Sequence, residues 1–434
     1  MPKKEKIPPP GGKKDEFTNF YSKAKWKQFL LKSTLDVSGR NLRPTGAQIV
    51  GNTLMKNKWV TALDLCHNNI GDMGAIEIAQ VMKANDTLQS VNLSCNGITD
   101  VGGIAIASAF VPCPHPAGLP SQWNRGIYYL NLSGNQLGDV SLVALANAAA
   151  CHRDLTKVDV SNNLIGGIGC KAFARAMERN QMCTFLLGGN KLGDEGASHL
   201  AMAMKTFGGK GSQAVLDLNN NNISKGGAEA IGMLLENNDF VQDVNLCWNT
   251  LGYKGTEALI TRILPPAMTC IRTLNLANNC LGDEGAEEVA KVIGANIPTL
   301  IRINLTHNDI GDRGGEALAR ACQQNTSLQF LLLAQNHIGP KSVEGFCDLI
   351  RTTQTMRAIE IRKNGLDDEQ KNKISDSNSK KVCDTLRVDY MTSDEGEDSM
   401  TQFLDKLQSW LAEKAQAEEE AAAKKKGKKG KKKG

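Results

Sequence analysis

Leu63-Asp64-Leu65-Cys66-His67-Asn68-Asn69-Ile70-Gly71-Asp72-Met73-Gly74 carries the spacing L-x-L-x-x-N-x-I-G-D-x-G, and most of the chain repeats it. Copies begin at Leu35, Leu63, Val91, Leu130, Val158, Phe185, Leu216, Val244, Leu274, Ile303, Leu331 and Ile359. Ten of the eleven intervals between them lie between 27 and 31 residues, and the other is 39. A period this regular is that of a solenoid, in which each unit buries its apolar face against its neighbours and no second core is needed.

Each copy has a local physical logic. The L-x-L pair predicts a short strand with both aliphatic side chains on one face. The asparagine after it, from Asn68 and Asn96 to Asn336 and Asn364, stands where the chain turns inward, and its amide can satisfy backbone groups that water cannot reach. The Gly-Asp pair predicts a helix start, with Asp72, Asp194, Asp283 and Asp312 placed as caps. Gly74, Gly196, Gly285 and Gly314 leave room for close packing. The helix is apolar on one stripe, for example Ala75, Ile78, Ala79 and Met82.

These residues resemble the leucine-rich repeat family, and within it the ribonuclease-inhibitor-like class. The resemblance covers residues 35 to about 366. It implies an α/β fold: a leucine-rich-repeat solenoid, a right-handed β-α horseshoe of about 12 repeats, with parallel strands on the concave face and helices on the convex face. Arg40 replaces the asparagine of the first copy, Ser224 replaces the glycine after Ile223, and Ser141 and Ser342 replace the second glycine.

Composition divides the remainder. Residues 1–14 form a basic, proline-rich arm expected to lack a core. Residues 15–34, with Phe17, Phe20, Trp26 and Phe29 near helical spacing, either cap the first repeat or offer a partner-binding helix. The solenoid runs over 35–391, with a proline-rich insertion at about 110–126. An acidic linker at 392–399 precedes an amphipathic helix at 400–423, whose Phe403, Leu407, Trp410 and Leu411 fold back on the repeats or meet a partner. A polylysine tail closes the chain at 424–434. The net charge is +5. Removing +4 for residues 1–14 and +8 for the tail leaves −7 for the body, a poor platform for nucleic-acid phosphates. No N-terminal apolar segment resembles a secretory signal and no apolar run reaches the ~20 residues of a membrane span. The expected location is therefore cytoplasmic, with twelve cysteines read as small buried thiols of a reducing compartment.

No chemistry-bearing motif stands out from the repeat. Gly208-Gly209-Lys210-Gly211-Ser212 lacks P-loop spacing. Cys113 and His115 are two candidate ligands where a zinc site needs about four. No catalytic residue, metal site or cofactor is expected. Alternation instead puts side chains on the concave face. Asp64, Asn92, Asn131, Asp159, Asp217, Asn245, Asn275 and Asn304 are repeat filler, solubilising or functional. Tyr129 and Lys157 stand out near the middle, and Asp243, Trp248, Arg302, His307, Phe330 and Leu332 form a larger aromatic group farther on. Exposed Trp, Phe and Arg in proximity are what interface hot spots contain.

The expectation is a non-enzymatic protein–protein interaction scaffold working through its concave face. Lys424, Lys425, Lys426, Lys428, Lys429, Lys431, Lys432 and Lys433 would tether it electrostatically to an acidic polymer such as tubulin tails, RNA or anionic lipid, or would simply solubilise the terminus. The resemblance extends to components of cilia and flagella, so an axonemal or other cytoskeletal assembly, with tubulin or axonemal partners, is the leading expectation. Two alternatives remain open. A GTPase-activating protein of the Ran type would act on a small GTPase through an early arginine, of which Arg40 is the candidate. A ribonuclease-inhibitor-like or innate-immune binder would show many large concave residues.

Overall fold

The computed structural model describes residues 32–111, 126–152, 154–177, 184–207, 214–265, 269–382 and 386–389. All belong to the larger of two units into which the chain divides, Met1–Tyr390; the second, Met391–Gly434, lies outside the described residues. So do the basic arm, the cap segment up to residue 31, the bulk of the proline-rich insertion with Cys113 and His115, the acidic linker, the amphipathic helix and all eight tail lysines.

Thirteen strands form one parallel sheet in sequence order. They are β1 (Thr34–Asp36), β2 (Ala62–Asp64), β3 (Ser90–Asn92), β4 (Tyr129–Asn131), β5 (Lys157–Asp159), β6 (Thr184–Leu186), β7 (Ala214–Asp217), β8 (Val241–Asn245), β9 (Thr273–Asn275), β10 (Arg302–Asn304), β11 (Phe330–Leu332), β12 (Ala358–Glu360) and β13 (Arg387–Asp389). A helix follows each of the first twelve. These are α1 (Arg43–Leu54), α2 (Gly71–Ala84), α3 (Asp100–Ser108), α4 (Asp139–Cys151), α5 (Gly167–Met177), α6 (Gly193–Phe207), α7 (Lys225–Leu235), α8 (Gly252–Ile263), α9 (Gly282–Gly294), α10 (Asp312–Gln324), α11 (Pro340–Thr352) and α12 (Asp368–Ser379). Consecutive helices pack side by side. Strands sit about 4.8 Å apart, whereas packed helices need about 8–10 Å, so a stack of such coils must curve with its sheet inside. That mismatch is the physical origin of the horseshoe.

Register keeps the coils in phase. Leu35 pairs with Leu63, Leu63 with Val91, and so on through Leu331 and Ile359, so the first residue of each copy falls in one register, and those whose burial is described form a buried ladder. The last strand corrects the sequence spacing. By sequence, Leu386-Arg387-Val388 lies 27 residues beyond Ile359 and reads as a final strand opening at Leu386, whereas the structure pairs Ile359 with Val388. A two-residue slip preserves which face each side chain occupies, so hydrophobic pattern alone does not reject it.

Asparagines tie each coil to its neighbours. Asn249 Nδ2 donates to the Leu218 and Leu246 carbonyls at 2.9 Å each, while its Oδ1 accepts from the Asn221 and Ile223 N–H groups at 2.9 Å each. Asn68, Asn96 and Asn336 bond the adjoining coils in the same way. All three are buried.

The aspartates expected to cap their own helices work differently. Asp72 does not cap its own helix. Its Oδ1 accepts from Thr99 N at 2.8 Å and Gly102 N at 3.0 Å, at the start of the next coil's helix. Asp139 serves Gly166 and Gly169, Asp283 serves Gly311 and Gly314, and Asp312 serves Gly339 and Ser342. A carboxylate seated at the positive end of the following helix is favoured by both hydrogen bonding and dipole, and it couples coils in one direction. The glycine two positions on fits the same plan. A Cβ at Gly314 would stand 2.8 Å from Ala286 Cβ, Ile310 Cγ2 and Asp283 Oδ1, so the close approach is as much to the preceding helix as to its own coil.

Candidate functional site

The filler positions of the concave face prove to be structural. Asp64, Asn92, Asn131, Asp159 and Asn304 each accept the backbone N–H two residues on, at 2.9–3.1 Å, which turns the chain out of its strand. In the middle coils the same row forms a ladder. Asn275 donates to Asn245, Asn245 to Asp217, and Asn219 also to Asp217, at 2.9, 2.9 and 2.6 Å.

The structure gathers the singled-out residues into pairs and not one cluster. Tyr129 and Lys157 face each other on β4 and β5, with the ammonium 4.8 Å from the ring centroid. Burial, reinforced by Asp159, raises the Tyr129 phenol above its ordinary range. Farther on, Asp243, Thr273, Arg302 and Phe330 occupy one row across four strands. The Thr273 hydroxyl donates to Asp243. The Arg302 guanidinium lies over the Phe330 ring, 4.9 Å from its centroid. Burial lowers the Arg302 pKa and Asp243 pushes the other way, so the group stays cationic.

Two sequence expectations need correction here. Phe330 and Leu332 are not exposed; each shows 1% of its surface. Phe330 lies between Arg302 and Ala358 in register, and Leu332 lies between Asn304 and Glu360. Alternation says which face a side chain occupies, and says nothing about what covers it. Glu360, also on this face, is 3% exposed and paired with Arg362. Burial outweighs that pairing and, with Asp389 adding to it, pushes the Glu360 carboxyl up to about 7.

Trp248 and His307 lie beyond their strands, in the turn that follows. Both backbones are left-handed, with φ of 57° and 56°. Their rings stack across the intervening coil with centroids 6.5 Å apart and an interplanar angle of 25°. Six other copies fill this position with Gly39, Gly134, Gly189, Asn162, Asn220 and Asn278, as the conformation prefers, while His67, Cys95, Gln335 and Lys363 occupy it in four more, all at positive φ. Trp248 is 61% exposed. Next to His307 the same edge opens into a depression of about 380 Å³, lined also by Gln335, Asn336, His337, Lys363, Asn364 and Gly365. His337 Nε2 stands 3.5 Å from an Asp309 carboxylate oxygen. Trp248, His307, Gln335 and Lys363 are thus an exposed rim of left-handed turn residues beside β8 to β12.

Sequence reasoning missed one feature on the helical layer. Met73, Val101, Val140 and Ile168 occupy one repeat position in four consecutive coils and are all largely exposed. The signal was present: the third residue of G-D-x-G is apolar in these copies and charged in most later ones. The cysteines also depart from expectation. Cys170, Cys322 and Cys347 are buried, with the Cys322 thiol raised to about 12 by burial, whereas Cys151 and Cys280 are exposed. Among the described residues no cluster of His, Cys, Asp or Glu has the makings of a metal site, and no helix is long and apolar enough to cross a membrane.

Comparison with known proteins follows the same lines. Nine segments, 56–79, 84–107, 128–146, 151–174, 187–201, 215–232, 267–290, 296–319 and 324–347, match the family model described as leucine-rich repeat. The human NACHT, LRR and PYD domains-containing protein 5 is 23% identical over 247 residues, which are 50% of this chain and 20% of that protein. The match therefore spans about a fifth of the relative's length. Two solved structures are similar. One is the octameric complex of Latrophilin 3, Unc5D and FLRT2, at 16% identity and a TM-score of 0.37, covering 79% of this chain and 86% of that one. The other is the Rad7 and Elc1 complex in yeast, at 12% identity and a TM-score of 0.38, covering 76% and 85%.

Proposed function

We propose that this chain, which belongs to the leucine-rich repeat family and is a protein-interaction scaffold, holds its partner on the turn rim beside β8 to β12, without catalysis of its own. The observation that carries the reading is Trp248. A tryptophan in left-handed backbone is disfavoured by about 1–2 kcal/mol relative to a right-handed one. Glycine or asparagine fills the position in six of the other eleven coils and His67, Cys95, His307, Gln335 and Lys363 fill it in the rest; Trp248 is the bulkiest of them all, and its indole gains little from the fold because it is 61% exposed. Display to a partner accounts for such a residue, and Trp is the type most enriched at interface hot spots. Tyr129–Lys157 and Asp243–Arg302 supply charged and aromatic flanks on the strands.

The basic tail supplies the second contact in this reading, a salt-dependent tether to an acidic polymer, for which tubulin tails within an axonemal or other cytoskeletal assembly are the leading candidate. The GTPase-activating alternative rests on Arg40. Its backbone N–H is held by Asn68 at 2.9 Å, as part of the asparagine stack, and the carboxylate in reach, Asp36, is engaged by Ser38. Nothing in that surrounding favours a catalytic arginine over a repeat-end residue.

Affinity capture by the full chain, compared with a Trp248→Asn/His307→Ala variant and a chain lacking 424–434, tests both contacts. The rim variant should lose a specific protein while its melting temperature is kept. The tail deletion should lose the salt-sensitive fraction. Undiminished capture by the folded rim variant would overturn the proposal.

A further inference from the structure

We propose that the first turns of α2 to α5 form a docking stripe for a basic amphipathic helix of a partner protein, on a face separate from the rim. Met73, Val101, Val140 and Ile168 are 64%, 60%, 58% and 67% exposed. Each follows or lies close to the helix-opening residue of its coil, and the four helices are packed in sequence, so the side chains fall in one row. A helical turn farther on, Ile76, Ile104 and Val143 form a second row, with Ile104 exposed at 43% and the other two half-buried.

Nothing in the repeat demands an apolar residue there. The same position holds Glu195, Lys254, Glu284, Arg313 and Lys341 in later coils. Arg313 there bridges Glu284 at 2.6 Å and Glu287 at 2.8 Å, which is what a solvated helix layer ordinarily does with this site. Single exposed aliphatic residues are unremarkable on any protein surface, whereas an aligned run marks an interaction face.

Shape and charge select the occupant. The stripe is one to two side chains wide and four coils long, the contact outline of a helix. Packed helices are about 8–10 Å apart, and an α-helix brings the same face round every seven residues, about 10.5 Å. A helix of about 22 residues laid across α2 to α5 would therefore set successive heptad positions over successive coils. Asp72, Asp100 and Asp139 border the row, each half-buried and each accepting N–H groups of the next coil. Positive side chains, Arg43 and Lys171, stand at its two ends. Lysines along one edge of the incoming helix complement that border.

The test uses the full chain and a fluorescein-labelled 22-residue peptide with leucine at heptad a and d positions and lysine beside them, read by anisotropy. The comparison protein is Val101→Glu/Val140→Glu, which installs a residue type that later coils carry at this position, so its melting temperature should match. Saturable binding that falls at least tenfold in this variant, and about fivefold when the peptide lysines become glutamine, supports the proposal. No binding, or equal binding by both proteins, overturns it. Two other variant-sensitive results would also overturn it: self-association in sedimentation, which assigns the stripe to a second copy, and flotation with phosphatidylcholine vesicles, which assigns it to a membrane.

Discussion

Replacing Asn249 with alanine should break the solenoid near its middle. The side chain holds four backbone groups of two adjoining coils at 2.9 Å each: two carbonyls, of Leu218 and Leu246, and two N–H groups, of Asn221 and Ile223. Alanine leaves three of them unsatisfied, the Leu246 carbonyl still accepting from Asn279 Nδ2 at 2.8 Å, in a site where Asn249 itself is 6% exposed. A buried backbone group left unsatisfied costs about 1–3 kcal/mol, so even the lower end gives a loss of about 3 kcal/mol. Coupling between neighbouring coils is what makes a repeat protein unfold as one body. The loss should therefore show twice in urea titrations followed by circular dichroism, as a lower midpoint and as a shallower or biphasic transition. Asn147→Ala, on the exposed face of α4, is the matched control and should shift stability by less than about 0.5 kcal/mol. If Asn249→Ala loses under about 1 kcal/mol with an unchanged slope, the ladder is not what couples the coils.

Trp248→Asn exchanges relief of left-handed strain, about 1 kcal/mol, for lost stacking on His307 of about 0.5–1.5 kcal/mol, so chemical denaturation should place it within about 1 kcal/mol of the parent. Phe330→Ala, at a buried site, should instead lose about 3–5 kcal/mol in the same measurement. Gly314→Ala forces three contacts of 2.8 Å and should destabilise by about 1–3 kcal/mol, whereas Gly294→Ala, with nothing within 4 Å of the added methyl, should be neutral or gain up to about 1 kcal/mol by thermal melting. Glu360 gives a pH signature: its carboxyl is raised from 4.5 to about 7 in the fold, so the native chain binds a proton that the unfolded chain has released. Its contribution is complete below pH 4.5 and is lost as pH rises to about 7. Glu360→Gln should therefore gain stability over the parent between pH 5 and pH 8, by up to about 3 kcal/mol, and a flat difference would refute the buried-carboxylate account.

What the sequence disclosed, and what it withheld, follow from one property of stacked coils. Strand, turn and helix each depend on residues within one copy, so periodic leucines and asparagines were enough to place β1 to β12 and their helices. Partnerships between copies depend on residues about 28 positions away, and there local rules mislead. Asp72 looks like a cap of its own helix because the cap rule is local, yet its hydrogen bonds go to Thr99 and Gly102. Val388 and not Leu386 continues the ladder because a shift of two leaves the apolar pattern intact. Phe330 is placed on the correct face by alternation, but its burial lies outside what one strand can report.

The same property ranks the two surfaces. A repeat position constrained by its neighbours tells more when it is violated than one left free. The turn after each strand requires left-handed backbone, and Trp248 occupies it against that preference. The third residue of G-D-x-G is unconstrained, so Met73, Val101, Val140 and Ile168 carry weight only as a set: any one of them alone would be ordinary surface. A rim centred on one bulky aromatic should therefore lose most of its hold when Trp248 alone is replaced. A stripe built from four apolar residues should weaken gradually, each replacement removing about a quarter of the apolar row.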